Sequence, residues 1–184
     1  MPEPPYGGFG PIFALNGVTP VIAADAFIAP TASVIGDVVV GSETGIWFHC
    51  HVRGDLNSIR IGARTNIQDA TVIHVDTGAM STFIGDDVTV GHNAVIHACT
   101  LKNRAFVGIS ATVLDGAVIE EGGMLAAGGL LTPGKVIGPN ELWTGSPAKL
   151  RRVMDKDERK RFDRNAEVYR ELAKRFRAGL RSVG

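Results

Sequence analysis

A mainly β fold, a parallel β-helix wound from six-residue repeats and followed by a C-terminal α-helix, is predicted by three features of the sequence. Aliphatic residues recur every six positions, glycine is dense at 23 of 184 residues, and the composition turns charged after Ser146. The recurrence runs through Ile22, Ile28, Val34, Val40, Ile46 and Val52. A three-residue insertion in RGDLNSIRI leads to Ile61, Ile67 and Ile73, and a five-residue excess within VDTGAMSTF leads to Ile84, Val90 and Ile96. A one-residue deletion at HACTL opens the last run, Leu101, Val107, Val113, Ile119, Leu125, Leu131 and Ile137. Helical spacing of three and four fits none of these segments, and helices do not tolerate glycine at this density. Each hexad supplies one short strand and one corner, so three hexads close a triangular rung of 18 residues with the aliphatic residue pointing inward. Such rungs bury a core only by stacking on one another.

The chain divides into an N-terminal segment (1–17), the coil (18–146) and a linker with an amphipathic helix (147–184). In the last part Asp155, with Glu158 three residues on, resembles a capping box. Phe162, Ala166, Tyr169, Leu172, Ala173, Phe176 and Leu180 then recur at helical spacing, so one face of this helix should pack on the coil or on a neighbouring subunit. Its basic residues are interleaved with acids and read as a solvated face.

Lysine plus arginine and aspartate plus glutamate both total 19. That balance provides no field of one sign to gather nucleic acid or an anionic membrane. No run of 18 apolar residues and no basic leader occurs, which predicts a soluble, cytoplasmic protein. Cys50 and Cys99 are too few for a disulfide framework and read as small buried thiols.

Counting rungs places the polar residues. Ile61 and Ile84 share one face, Ile67 and Val90 a second, and Val52, Ile73 and Ile96 a third. The residues that follow this last trio are Arg53, His74 and His97, which should stack about 4.8 Å apart per rung. Two imidazoles so placed can lean onto one ion at metal to nitrogen distances of about 2.0–2.1 Å. His92 lies on the second face, roughly 16 Å of extended chain from His97, and reaches such an ion only from a neighbouring subunit of a symmetric oligomer. Three histidines leave a position open for water, the pattern of a catalytic site. His49 and His51, on the same side of a strand by the alternation in FHCH, read as ordinary surface residues, with Cys50 facing the other way.

The segments VRGDLNSIRIGARTNIQDATVIH and TFIGDDVTVGHNAVIHACTLKNRAFVG resemble the γ-class carbonic anhydrases, and the similarity runs from about Val18 to Val153. The resemblance implies a left-handed coil, a homotrimer and a Zn2+ ion, with Fe2+ or Co2+ as alternatives, held by His74, His97 and the neighbour's His92. It implies that Arg53 and Asp55 pair at the subunit interface, that Arg53 helps to hold bicarbonate, that Gln68 orients the reacting species, and that Asp69 supports the site. The implied reaction is reversible hydration of carbon dioxide, with hydroxide on the metal as nucleophile. Arg53 with Asp55 also has a purely structural reading, as a fastener between subunits. The chain departs from the best-known members where they carry proton-transferring glutamates: Leu56 follows the RGD motif, and Asp76 is the sole acid between Val75 and Phe83. Tyr6 and Tyr169 lie outside the coil, which leaves no tyrosine inside it to support the site.

Two other readings fit the same coil. A hexapeptide-repeat acyltransferase needs one histidine as base between subunits rather than three. A non-catalytic trimer would use its metal only as a fastener.

Overall fold

A computed structural model describes residues 10–78 and 80–183, so Tyr6 lies outside the described residues. It is a parallel β-solenoid of about seven turns with one C-terminal helix. One face is a single ladder of stacked strands from Phe27–Ile28 through Gly45–Ile46, Asn66–Ile67, Thr89–Val90, Phe106–Val107 and Met124–Leu125 to Glu141–Thr144. Lys149–Val153 then folds back antiparallel on Glu141–Thr144 and ends that ladder. The other two faces merge into one twelve-stranded sheet, because Ser33–Val40 and His51–Ile61 run through a corner without a break. The RGDLNSIRI insertion is taken up here as a register shift between Gly36 and Val38.

The inward column is the one the six-residue period picks out. Val52, Ile73, Ile96, Val113 and Leu131 have no exposed surface and stack rung on rung. At one series of corners a non-glycine residue takes a left-handed conformation on successive rungs: Glu43, Arg64, Asp87 and Arg104, with φ of 54°, 54°, 56° and 59°. Strain of this kind is tolerated because neighbouring rungs fix the corner. Arg64 hydrogen-bonds Ser42 through its backbone and Asp87 through its guanidinium. His49 occupies another such corner, with φ 61°, and the strand starts only at His51. FHCH therefore bends at His49, and the expected strand alternation of His49 with His51 does not occur; Cys50 faces inward as expected.

The helix spans Lys156–Gly179 and is capped by Asp155, whose carboxylate accepts from the amides of Asp157 and Glu158. Glu158 pairs with Arg152 on the antiparallel strand instead of completing a capping box. The helix runs back along the solenoid axis. Near its start the buried Arg159 donates to the carbonyls of Gly122 and Arg104, and near its end Arg177 donates to those of Ala24 and Asp25. Eighteen residues of helix rise about 27 Å, enough to span five rungs, about 24 Å at about 4.8 Å each. Between these clasps Tyr169 and Phe176 pack edge-on against Trp47 at 5.3 and 5.2 Å between ring centres. Replacing Arg159 by Met removes charged donors from two corner carbonyls, and should lower stability by about 1.5–3 kcal/mol. Thermal melting of Arg159→Met checks this.

Among the described residues, no helix is long and apolar enough to cross a membrane.

Candidate metal centre

Successive rungs carry Arg53, His74 and His97 outward on one row, since Val52 pairs with Ile73 and His74 with His97. The two imidazoles lean together: His74 Nδ1 and His97 Nε2 lie 3.3 Å apart, with the rings tilted by 52°. Each outer nitrogen meets a carboxylate. His74 Nε2 is 2.9 Å from Asp55 Oδ1, and His97 Nδ1 is hydrogen-bonded to Asp115 Oδ1. When both outer N–H groups donate to these acids, the two inner nitrogens are left free as acceptors toward a cation. Two ligands at about 2.0–2.1 Å from a tetrahedral ion sit about 3.3–3.4 Å apart, so the pair fits such an ion as it stands. Carboxylates behind both imidazoles are also the usual support of metal-binding histidines.

Asp55 is shared. One oxygen faces His74, and the other forms an ion pair with Arg53. Burial works against ionising Asp55, but hydrogen bonds from His74 and Arg53 outweigh it and hold the carboxyl below the usual carboxylate range. Cys50 and Cys99 are inside the coil, where burial pushes both thiols up to about 12. They stay protonated near neutrality and do not compete as thiolate ligands.

His92 belongs to a second constellation. The pairing of Ile67 with Val90 sets Asp69 beside His92, and Asp69 Oδ2 lies 3.0 Å from His92 Nδ1. Gln68, almost fully buried, donates from Nε2 to Asn66 Oδ1 at 3.0 Å. Tyr169 reaches over from the helix and places its hydroxyl 3.2 Å from His92 Nε2. The expectation that no phenol supports the site is thus corrected: the coil has none, but the helix brings one. Burial, and secondarily the charge of Asp69, push the Tyr169 phenol above its ordinary value, so it remains a hydroxyl.

Arg53, Asp55, His74 and His97 therefore come together, while Gln68, Asp69 and His92 gather apart from them. Among the described residues, no three side chains that could ligate a metal converge within the chain. Asp115 and Tyr169 are the residues beside these histidines that the sequence reading did not single out. The 17-residue step from Ile96 to Val113 puts Leu114 in the histidine row and leaves Asp115 in the following corner. An acid beside a glycine one rung above a histidine was the only signal.

Fold and site together define a hexapeptide-repeat solenoid with a paired-imidazole centre on one outer face. Over 167 residues the chain is 44% identical to the carbonic anhydrase of Geobacillus kaustophilus, covering 91% of each chain. It belongs to the γ-class carbonic anhydrase family. It is also 47% identical over 160 residues to the mitochondrial γ carbonic anhydrase 2 of Arabidopsis thaliana, covering 84% of this chain and 58% of that one. The chain thus spans 58% of the length of the first two plant relatives it matches. Among solved structures, a hexapeptide transferase family protein from Anaplasma phagocytophilum is 46% identical, with a TM-score of 0.86 over 89% of this chain and 96% of that one. No family model matches the chain.

Proposed function

We propose that the chain is a metal-dependent carbonic anhydrase that interconverts carbon dioxide and bicarbonate as a homotrimer. His74 and His97 of one subunit and His92 of the next would hold Zn2+, with Fe2+ or Co2+ suited to the same imidazole donors. The observation that carries this reading is the 3.3 Å approach of His74 Nδ1 to His97 Nε2. Membership of a family with named carbonic anhydrases supports the reaction. When bound, the ion supplies a Lewis acid that brings the pKa of water toward neutrality.

The chain's own residues have separate tasks in this reading. Arg53 offers a guanidinium to the bicarbonate anion, and Asp55 keeps it beside His74. Asp69 holds Nδ1 of His92 so that Nε2 is the nitrogen presented to the neighbour. Gln68 has its Nε2 engaged by Asn66 and would serve through Oε1, accepting a hydrogen bond from the O–H of the nucleophile and so orienting it. Val72 and Val95 stack as exposed apolar residues beside the histidine row, and would be covered by the adjacent subunit. The unpaired thiols suit a reducing cytoplasm.

Proton export has no acid at Leu56, which is half exposed beside Asp55, and Asp76 caps the amide of Thr77. Solution buffer should therefore carry the proton. Stopped-flow hydration by protein purified with and without oxygen, with metal counted per subunit, tests the proposal. The expected result is a metal-dependent rate that climbs with buffer concentration at fixed pH. Metal-loaded protein no faster than the stripped form would leave a structural trimer. The Anaplasma relative is described as a hexapeptide transferase family protein, and the rival reading on this coil is acyl transfer. Acetyl-coenzyme A turnover that survives metal removal would establish that rival instead.

A further inference from the structure

We infer that Asp115 is a positioning residue for the metal centre: it fixes the tautomer and orientation of His97, so that Nε2 and not Nδ1 faces the ion. The inference rests on the metal-binding reading of His74 and His97. It assigns a residue that lies outside the histidine row and was not expected from the sequence.

The corner that carries Asp115 is pinned from both sides. Its carbonyl accepts from the amide of Gly134 on the rung beyond, at 2.9 Å, and the next amide, Gly116, donates to Ala98 at 2.8 Å. Ala98 directly follows His97, so the corner is tied to the backbone of the residue it serves. Gly116 and Gly134 are both left-handed, with φ of 65° and 67°. These turns are glycine's own and carry the chain around the corner without strain. From this fixed base the Asp115 carboxylate accepts from His97 Nδ1.

The chemistry then follows from the ring. A carboxylate on Nδ1 selects the Nδ1–H tautomer and leaves the Nε2 lone pair free, and it makes that nitrogen a better donor to a cation. Flipping the ring would put a C–H against the carboxylate and lose the bond. Asp55 does the equivalent for His74 but is also bound to Arg53, so substituting Asp55 disturbs two contacts at once. Asp115 offers the cleaner test.

Zn2+ affinity, measured by competition with a chelator, should fall by about 10–100-fold in Asp115→Ala. Asp115→Asn, which can still accept through its amide oxygen, should lose less. In the metal-free proteins, nitrogen chemical shifts of the imidazoles should show His97 as the Nδ1–H tautomer in the parent and Asp115→Asn, and as a mixture in Asp115→Ala. Wild-type affinity together with an unchanged tautomer in Asp115→Ala would overturn the inference. If Asp115→Ala fails to fold, wild-type affinity and an unchanged tautomer in Asp115→Leu, which cannot accept from Nδ1, would overturn it. Failure of the parent to bind Zn2+ would defeat the metal-centre reading itself, and an unshifted tautomer would still defeat the role of Asp115 independently.

Discussion

Subunits carrying His92→Ala and subunits carrying His97→Ala should each hold under about one tenth of the wild-type metal, yet recover about one quarter of it when assembled together in equal amounts. In a trimer with one centre per interface, a centre is intact only where a subunit with His74 and His97 meets a neighbour with His92. Random assembly of equal numbers satisfies both conditions about a quarter of the time. The geometry makes this expectation strict. His74 and His97 face each other at 3.3 Å, whereas His92 has Asp69 at one nitrogen and Tyr169 at the other. Metal counted on the whole randomly assembled population reads the result. Recovery near zero would mean that His92 serves its own chain or none, and full metal in either single variant would remove that histidine from the ligand set. Tyr169 must give up its contact when Nε2 turns to an ion, so a shift in tyrosine absorbance should accompany metal uptake.

The histidine row could be read from the sequence because a solenoid converts counting into space. Once the insertions in RGDLNSIRI and VDTGAMSTF are allowed for, His74 and His97 must be rung neighbours, and their strands do pair in that register. The register of Ile67 with Val90 also sets Asp69 beside His92, a contact the sequence reading did not name. Counting failed where contact depends on something other than the repeat. Asp115 reaches His97 from a corner displaced by the deletion at HACTL, and a period cannot say how far a corner side chain reaches back. Tyr169 meets His92 across 77 residues because the helix lies back along the ladder face. Amphipathic spacing showed that this helix has an apolar face, but it did not say which face of the coil would receive it. His49 shows the opposite failure: alternation was assumed across a corner where the backbone turns left-handed.

Ile73→Ala should be strongly destabilising, costing about 2–5 kcal/mol from lost burial and the cavity left behind. For a domain of this size that lowers the melting temperature by about 4–20 °C. Ile73 has no exposed surface and stacks between Val52 and Ile96, so neither adjacent rung can close the gap without leaving its own partner. Its neighbour Val72 points outward and is 40% exposed; Val72→Ala should leave the melting of the subunit almost unchanged and weaken trimer assembly instead. A second control separates stability from the site. Ile137 is equally buried but pairs with Ile119 in the last turn of its face, far along the stack from the histidines. Repeat units act mainly on their nearest neighbours. Ile137→Ala should therefore reduce stability by a similar amount while Zn2+ affinity stays at the parent value, whereas Ile73→Ala should lower both, because His74 is the next residue on the same strand. Equal loss of affinity in the two variants would show that the metal centre depends on the stability of the coil as a whole and not on the rung beneath it.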